Sequence, residues 1–223
     1  MAESTKHFVL GSFIDAEAGP NQAEAIFGCG CFWGAEKGFW RLPGVVTTAV
    51  GYAGGNGASP SYEAVCGGRT GHAEAVRVVW NKQIIDFCDL LKLFWECHDP
   101  TQGDRQGNDR GSQYRSVIYT NDPNLDAIAK ASCDAYQNLL TEKGFAAIST
   151  EIKLNQIFYA AEEYHQQYLA KPGSRPYCSA QPTRVSLGPF PGCHYLLPEK
   201  VWSHYDWSVS HCVLRGENSP IVL

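Results

Sequence analysis

The amino-acid sequence predicts an α+β fold, in the form of a two-layer α/β sandwich with a ferredoxin-like core and an irregular C-terminal extension. Three observations support this prediction. The chain has 223 residues, of which 44% are apolar, which is enough for one substantial core. Segments with the periodicity of strands and helices follow one another as strand, helix, strand, strand, helix, strand, the order of a split βαβ unit. From Pro172 onward the chain is rich in proline and glycine and irregular.

The first half of this pattern lies before residue 72. The apolar run EAIFGCG (24–30) predicts a buried strand closed by glycine. The next segment, CFWGAEKGFW (31–40), has apolar residues spaced along one helical face, and the LPG that follows stops the helix. The β-branched run VVTTAV (45–50) predicts a second strand. The glycine-rich segment 51–71 is predicted to be a long irregular loop, and such loops are often functional.

The second half repeats the order of elements. The run HAEAVRVVWN (72–81) predicts a strand, and the amphipathic segment 84–98 predicts a helix that Asp-Pro ends. A polar, glycine-rich loop (101–113) leads to the strand YRSVIYT (114–120). The helix predicted over 121–144 has an aspartate as N-cap, a proline at its first position and a glycine at its end.

Two further elements and the domain limits complete the prediction. AISTEIK (147–153) predicts a strand, and YAAEEYHQQYLAK (159–171) predicts a last helix. No internal repeat and no second core are visible. We therefore expect a flexible leader over 1–22, one catalytic domain over 23–178, and an irregular extension of unknown role over 179–223.

Composition excludes several classes of function. The net charge is −5 and no long basic run occurs, which speaks against nucleic-acid binding. No apolar run reaches the roughly 18 residues of a membrane span, and no secretory signal is visible at the N-terminus. The nine cysteines are odd in number and show no C-x-x-C spacing, so we expect reduced thiols, a cytoplasmic location and no metal.

Cys31 is the first candidate for chemistry. It follows a predicted strand and a glycine turn and opens a predicted helix. The unpaired N–H groups and the positive dipole at a helix N-terminus favour a thiolate, which is the reactive form of cysteine. The alternative is a buried cysteine at the end of a strand. Neither G-x-G-x-x-G nor G-K-[ST] is present, which speaks against a nucleotide site.

Glu74 is the second candidate. Strand alternation puts it on the same face as Val76, Val78 and Trp80. Apolar surroundings disfavour the charged form of a carboxyl and raise its pKa, so Glu74 could act as a general acid near neutral pH. The alternative is an exposed strand end at which Glu74 pairs with Arg69.

Polar residues of the two glycine-rich loops could complete such a site. The loops, together with the residue that follows the second one, supply Tyr52, Tyr62, Asp109 and Tyr114, and tyrosines near a buried acid can donate hydrogen bonds to an oxygen that gains negative charge. Taken singly, each tyrosine could equally be a packing residue. The set of a thiol, an acid and phenols suits attack on a polar, uncharged electrophile whose oxygen must leave protonated.

Two other functions remain open from the residues alone. In a Cys-His hydrolase, one of the histidines His72, His98 and His165 would polarise the thiol, although such an enzyme gives Glu74 no role. A non-catalytic redox sensor would explain the many cysteines, but not the acid and the phenols.

Five motifs in order resemble the peptide methionine sulfoxide reductase A family over about residues 24–178. The motifs are GCFWG (30–34), GYAGG (51–55), SYEAVCGGRTGHAEAV (61–76), FWECHDPTQGDRQGNDRGSQYRS (94–116) and TEIKLNQIFYAAEEYHQQYL (150–169). The resemblance implies an enzyme that reduces the S epimer of methionine sulfoxide in proteins, and also the free amino acid, to repair oxidative damage. It also implies that no cofactor is bound and that thioredoxin, or else glutaredoxin, is the reductant. We expect a monomer.

The resemblance also implies residue roles. Cys31 would attack the sulfoxide sulfur and become a sulfenic acid, while Phe32 and Trp33 would hold the substrate methyl group. Glu74 would protonate the sulfoxide oxygen. The phenols of Tyr62 and Tyr114 would bind that oxygen, and Asp109 would help to order the site.

A second thiol would then condense with Cys31 to form a disulfide. Cys178 is the expected partner because it matches a Tyr-Cys pair of the family, and Cys193 and Cys212 are further candidates. The sequence departs from the family pattern at Cys29, where a small residue is usual, and at Cys97, where asparagine is common. The residues after Cys178 lie outside the resemblance.

Overall fold

The computed structural model describes residues 5–57, 59–210 and 212–223, without the side chain of Cys212. The strands are β1 (Gln22–Cys29), β2 (Val45–Ala53), β3 (Ala73–Asn81), β4 (Arg105–Gln106), β5 (Asp109–Arg110), β6 (Ser116–Thr120), β7 (Glu151–Leu154) and β8 (Phe158–Ala160). The helices are α1 (Phe32–Trp40), α2 (Tyr62–Cys66), α3 (Phe87–Cys97), α4 (Pro123–Glu142) and α5 (Glu199–Trp202). No helix in these ranges is long and apolar enough to cross a membrane.

Six strands form one sheet in the order β7-β6-β1-β3-β2-β8. Within the four central strands, β6-β1-β3-β2, each strand is antiparallel to the next, while β7 joins one edge parallel to β6 and β8 joins the other edge antiparallel to β2. Because β1 and β2 are separated by β3, and β3 and β6 by β1, each helical crossover spans an inserted strand. This arrangement confirms the predicted α+β fold with a split βαβ core.

The alternation of β3 decides which side chains enter the main core. Val76, Val78 and Trp80 belong to the large apolar cluster that the sheet shares with the helices. Ala73 and Ala75 point to the opposite face and belong to a second, smaller cluster. The predicted alternation is therefore correct, and it places Glu74 on the helix-covered side of the sheet.

The starts of the long helices follow from their caps. The Asp86 side chain accepts the Cys88 N–H at 2.9 Å and forms a capping box with Asp89 at the start of α3. At the start of α4, Asp122 is the N-cap and Pro123 is the first residue, as predicted.

The predicted helix over 159–171 is wrong. This segment instead forms β8 and two short 3₁₀ turns, Glu163–His165 and Tyr168–Ala170. The physical reason is tertiary: the main chain of β8 pairs with β2 instead of forming helical hydrogen bonds, and the Gln166 side chain bonds to both the N–H and the C=O of Val50 in β2.

The loop predicted over 51–71 is also partly wrong. Strand β2 continues to Ala53, and the one-turn helix α2 begins after Ser61, whose hydroxyl accepts the Ala64 N–H at 3.3 Å. The many glycines of this segment therefore hide a short helix, α2, which begins with Tyr62.

The described part of the leader and the C-terminal extension both contact the rest of the fold. The residues of the C-terminal extension in the main cluster include Leu187, Phe190, Leu197, Val201 and Trp202. The extension is otherwise irregular, apart from α5 and a 3₁₀ turn at Cys212–Leu214. Within the leader, the His7 ring bonds to Thr48 of β2 at 2.8 Å in a buried position.

Candidate active site

A glycine turn aims Cys31 into the molecule. Strand β1 ends at Cys29, and Gly30 turns the chain with a φ of +91°, a backbone conformation that side chains rarely adopt. A Cβ on Gly30 would also lie 2.8 Å from the side chain of Gln106. Cys31 then occupies the N-cap position of α1, as the sequence predicted.

Burial, and not the helix N-terminus, dominates the ionisation of Cys31. The residue is only 8% exposed, and loss of solvent together with the nearby Glu74 raises the pKa of its thiol well above the usual value. The Trp33 N–H bonds to the sulfur and favours the thiolate, but this effect is smaller. The expectation of a thiolate in the resting protein is therefore wrong: Cys31 is held as a thiol.

Glu74 is a buried acid. It is 2% exposed, faces Tyr52 across the β2–β3 pair, and accepts the Phe32 N–H on Oε2 at 3.1 Å. Burial raises the pKa of Glu74 to about 8, so the carboxyl carries a proton at neutral pH. Within the described ranges no ion pair joins Glu74 to Arg69, and the alternative of an exposed strand end is wrong.

One cavity of about 370 Å³ brings the predicted residues together. It is lined by the seven residues that the sequence singled out for catalysis and substrate binding, namely Cys31, Phe32, Trp33, Tyr62, Glu74, Asp109 and Tyr114. Three further residues, Tyr168, Arg175 and Tyr177, complete the wall. Elements far apart in sequence thus supply a thiol, an acid and phenols to one space.

Tyr62 and Tyr114 keep their hydroxyl protons at every physiological pH and can donate hydrogen bonds into the cavity. Burial is the largest cause that raises the pKa of Tyr62 and of Tyr114 well above the usual value, and the charge of Glu74 acts in the same direction. Asp109 accepts a bond from the Tyr177 hydroxyl on Oδ1, while its Oδ2 is buried with no hydrogen-bond partner among the described residues. Asp109 therefore orders the mouth of the cavity through Tyr177.

Aromatic rings form the apolar side of the cavity. The Trp33 and Tyr168 rings stack with centroids 4.0 Å apart, and Tyr177 meets Trp33 edge-on at 6.4 Å. The Trp33 indole donates to His165 Nδ1 at 3.2 Å, and that ring also contacts Phe32 at a centroid distance of 5.2 Å. These separate contacts hold Trp33 in place, so its ring gives the cavity a fixed apolar surface.

Sequence reasoning missed Tyr168, Arg175 and Tyr177 as cavity residues. Tyr168 stood in a segment predicted to be helical, and no periodic signal separates a cavity tyrosine from a core tyrosine. Tyr177 is the tyrosine of the Tyr-Cys pair that includes Cys178, and the sequence gives it no role of its own. The clue available was its position in the polar, irregular chain just before a cysteine.

The histidines do not form a Cys-His pair with Cys31. His98 uses Nδ1 on the Phe94 carbonyl at 2.7 Å and Nε2 on the Ser116 hydroxyl at 2.8 Å. Neither His72 nor His165 makes a hydrogen bond to Cys31 in the described part of the chain. This geometry disfavours the hydrolase interpretation.

The three candidate resolving cysteines lie in different surroundings. Cys178 is 6% exposed and packs against the first turn of α1, where its Sγ would lie 2.7 Å from a Cβ on Gly34. Cys193 lies beside Cys88 at the start of α3, because its neighbours Gly192 and His194 both contact the Cys88 sulfur. The side chain of Cys212 lies outside what the structure describes.

Gly34→Ala is expected to separate the first chemical step from disulfide formation. The new methyl group would meet Cys178 Sγ at 2.7 Å and its Cβ at 3.2 Å, so the chain around Cys178 must move away. We expect methionine to form, but Cys31–Cys178 disulfide formation to slow by about 10²-fold. Rapid quench with a sulfenic-acid trap measures this. Gly38→Ala is the matched control, since its nearest contact is 3.5 Å; equal rates in both variants contradict the prediction.

A buried thiol that shares a cavity with a protonated carboxyl and phenol donors is the arrangement of an α+β thiol enzyme. The family model described as peptide methionine sulfoxide reductase matches residues 23–187. The chain belongs to the peptide methionine sulfoxide reductase family, a family of oxidoreductases, which confirms the resemblance found in the sequence.

Individual relatives agree with this assignment. The peptide methionine sulfoxide reductase MsrA of Vibrio vulnificus (strain CMCP6) is 53% identical over 190 residues, covering 85% of this chain and 90% of that protein. The structure of methionine sulfoxide reductase A of Corynebacterium diphtheriae matches with a TM-score of 0.73 at 43% identity, over 83% of this chain and 89% of that one. Reduced Mxr1 from Saccharomyces cerevisiae matches with a TM-score of 0.65 at 34% identity, over 73% and 92%.

Proposed function

We propose that this protein reduces the S epimer of methionine sulfoxide in proteins and peptides, and the free amino acid as well. Cys31 is the nucleophile and Glu74 the proton donor. The observation that carries the proposal is the shared cavity: Cys31 opens into the same 370 Å³ space as a carboxyl whose pKa is raised to about 8. A sulfoxide needs both groups at once, because its sulfur accepts the nucleophile while its oxygen must be protonated.

The chemical step needs no external proton. The Cys31 sulfur bonds to the substrate sulfur as Glu74 gives its proton to the sulfoxide oxygen, and the thiol proton of Cys31 then returns to Glu74. The hydroxyl passes to the Cys31 sulfur as methionine leaves, so Cys31 becomes a sulfenic acid and the substrate sulfur is reduced by two electrons. Tyr62 and Tyr114 donate hydrogen bonds to the oxygen while its negative charge develops.

Epimer selection follows from fixed positions for three groups. The stacked Trp33 and the neighbouring Phe32 offer the apolar surface for the methyl group. Glu74 offers the proton on the oxygen side, and the peptide itself must point to the cavity mouth. In the R epimer the oxygen and the methyl group exchange positions. The polar oxygen would then lie on the aromatic rings and the buried Glu74 carboxyl would lack a hydrogen-bond partner, both of which cost binding free energy.

Resolution of the sulfenic acid uses Cys178 in this proposal. The Cys178 thiol condenses with Cys31–SOH, a Cys31–Cys178 disulfide forms and water leaves. Cys178 touches the same helix turn that carries Cys31, whereas Cys193 lies beside Cys88. Following the family resemblance, thioredoxin reduces the disulfide, with glutaredoxin as the alternative reductant, and no cofactor is bound.

Single-turnover reduction of matched peptides tests this function. We expect a peptide with methionine-S-sulfoxide to be reduced about 10²-fold faster or more than the R epimer, because only the S epimer places its oxygen at Glu74. Methionine is measured by liquid chromatography and the Cys31–Cys178 disulfide by peptide mapping. Equal rates for the two epimers, or no methionine from either, contradict the proposal. An ester substrate serves as the control for hydrolase activity.

A further inference from the structure

Two cysteines that the proposed function does not use lie next to Cys178. Cys29, Cys97 and Cys178 line one small apolar cavity of about 10 Å³, bounded also by Gly34 and Leu93. This is the space of about one water-sized sphere. All three residues are buried. Three thiols therefore surround a single small space, directly behind the helix turn that carries Cys31.

The sulfurs of Cys29 and Cys97 are close enough to interact. Cys29 is the last residue of β1 and Cys97 the last residue of α3, and the sulfurs of both and a ring nitrogen of His98 all lie within 4.8 Å of one another. A disulfide has an S–S bond of about 2 Å, so side-chain rotation with a small shift of the two chain ends would bring them into bonding distance.

His98 is not available as a metal ligand in this arrangement. Its Nδ1 bonds to the Phe94 carbonyl and its Nε2 to the Ser116 hydroxyl, so a metal ion would have to break one of these buried hydrogen bonds. Burial lowers the pKa of His98 to about 4, which keeps the ring neutral. Without a metal ion, the reaction that the neighbouring Cys29 and Cys97 thiols can undergo together is disulfide formation.

We propose that Cys29 and Cys97 form a second redox pair, which takes the disulfide from Cys178 and returns Cys31 to the reduced state. This inference rests on the proposed function, since methionine sulfoxide supplies the oxidising equivalents. The Cys29 sulfur attacks the Cys178 sulfur of the Cys31–Cys178 disulfide; Cys31 leaves and receives the proton of Cys29. The Cys97 sulfur then attacks Cys29, Cys178 leaves and receives the proton of Cys97, and a Cys29–Cys97 disulfide remains.

Cys178 lies between the Cys31 turn and the two inner thiols. Burial, with a smaller contribution from negative charge on Cys29, raises the pKa of Cys178 to about 12. Charge on Cys178 in turn contributes to the raised pKa of Cys31. Cys178 lines the same small cavity as Cys29 and packs on the helix turn that carries Cys31, as an exchange partner between two pairs must.

The expected consequence is that each chain produces two molecules of methionine when no reductant is present. The first turnover leaves the disulfide on Cys29 and Cys97, and the second leaves it on Cys31 and Cys178, with four thiols lost in total. The transfer is reversible, so a reductant that reduces the Cys31–Cys178 disulfide also leads to reduction of the Cys29–Cys97 disulfide. A chain with only Cys31 and Cys178 as redox thiols would stop after one methionine and two thiols.

The test counts methionine per chain with excess methionine-S-sulfoxide peptide and no reductant. We expect two methionines for the wild type, with a Cys29–Cys97 disulfide in peptide mapping under denaturing, alkylating conditions. Cys29→Ala, which lacks the attacking thiol, is expected to give one. Cys97→Ala is expected to stop at a Cys29–Cys178 disulfide, with Cys31 left as a sulfenic acid after a second methionine. Cys133→Ser is the matched control, because it removes a half-buried thiol on α4 that lines neither cavity, and we expect it to keep two methionines.

Each outcome decides between the inference and its rivals. One methionine per chain in the wild type, or two without a Cys29–Cys97 disulfide, overturns the inference while the proposed function stands. No methionine at all overturns the proposed function itself. If the alanine variants do not fold, the mapped disulfide of the wild-type chain after two turnovers still decides.

Discussion

Glu74→Gln is expected to lower kcat/KM for a methionine-S-sulfoxide peptide by about 10²–10⁴-fold. Glutamine keeps the size of the side chain, and its amide oxygen can still accept the Phe32 N–H that Glu74 accepts at 3.1 Å. An amide cannot deliver a proton to the sulfoxide oxygen, so the loss falls on the chemical step. Steady-state kinetics with thioredoxin as reductant, supported by single-turnover rates, measure the effect.

The pH profile separates this role from a structural one. The folded-state pKa of Glu74 is about 8, so the acid is present below that pH and lost above it. We expect wild-type kcat/KM to fall as the pH rises through about 8, and we expect Glu74→Gln to lack this decline. A variant that keeps the same decline would assign it to another group and would contradict the acid role of Glu74.

The substitution is expected to affect stability and activity in opposite directions. The Glu74 carboxyl ionises near pH 4.5 in the unfolded chain and near pH 8 in the folded protein. Its contribution to the free energy of unfolding is therefore complete below pH 4.5 and decreases as the pH rises to about 8. Glutamine never ionises, so we expect Glu74→Gln to melt at a higher temperature than wild type at pH 8. Glu63→Gln, on the exposed surface of α2, is the control and should change neither activity nor melting temperature.

Cys31→Ser is expected to abolish sulfoxide reduction, by about 10⁴-fold or more. A serine hydroxyl has nearly the same shape as the thiol, but it cannot attack sulfur and form a sulfenic acid. The fold should be unaffected, because the N-cap of α1 accepts serine readily. Methionine formation measures the loss, and calorimetry with the sulfoxide peptide tests whether the cavity still binds substrate.

Cys133→Ser is the matched control for this substitution. Cys133 lies half-buried on α4 and does not line the cavity of about 370 Å³. We expect it to keep wild-type activity. Methionine formation by Cys31→Ser at more than a hundredth of the wild-type rate would mean that another cysteine is the nucleophile.

The sequence by itself determined most of the sheet and the chemical groups of the site. Strands such as β3 and the capped starts of α3 and α4 are local signals, because period-two alternation and side-chain caps act over a few residues. The same alternation was enough to predict that Glu74 faces apolar neighbours. The glycine turn before α1 was enough to predict that Cys31 opens a helix.

Tertiary structure decided what depends on contacts between distant segments. The segment 159–171 has a helical pattern, but the Gln166 side chain bonds it to β2, so β8 and two turns form instead. Burial determines the direction in which the pKa of Cys31 is shifted, and no local pattern reveals burial. The sequence shows only the helix N-terminus, whose effect is smaller. The same holds for the cysteines: only packing brings Cys29, Cys97 and Cys178 to one cavity, because desolvation and proximity are set by the whole fold.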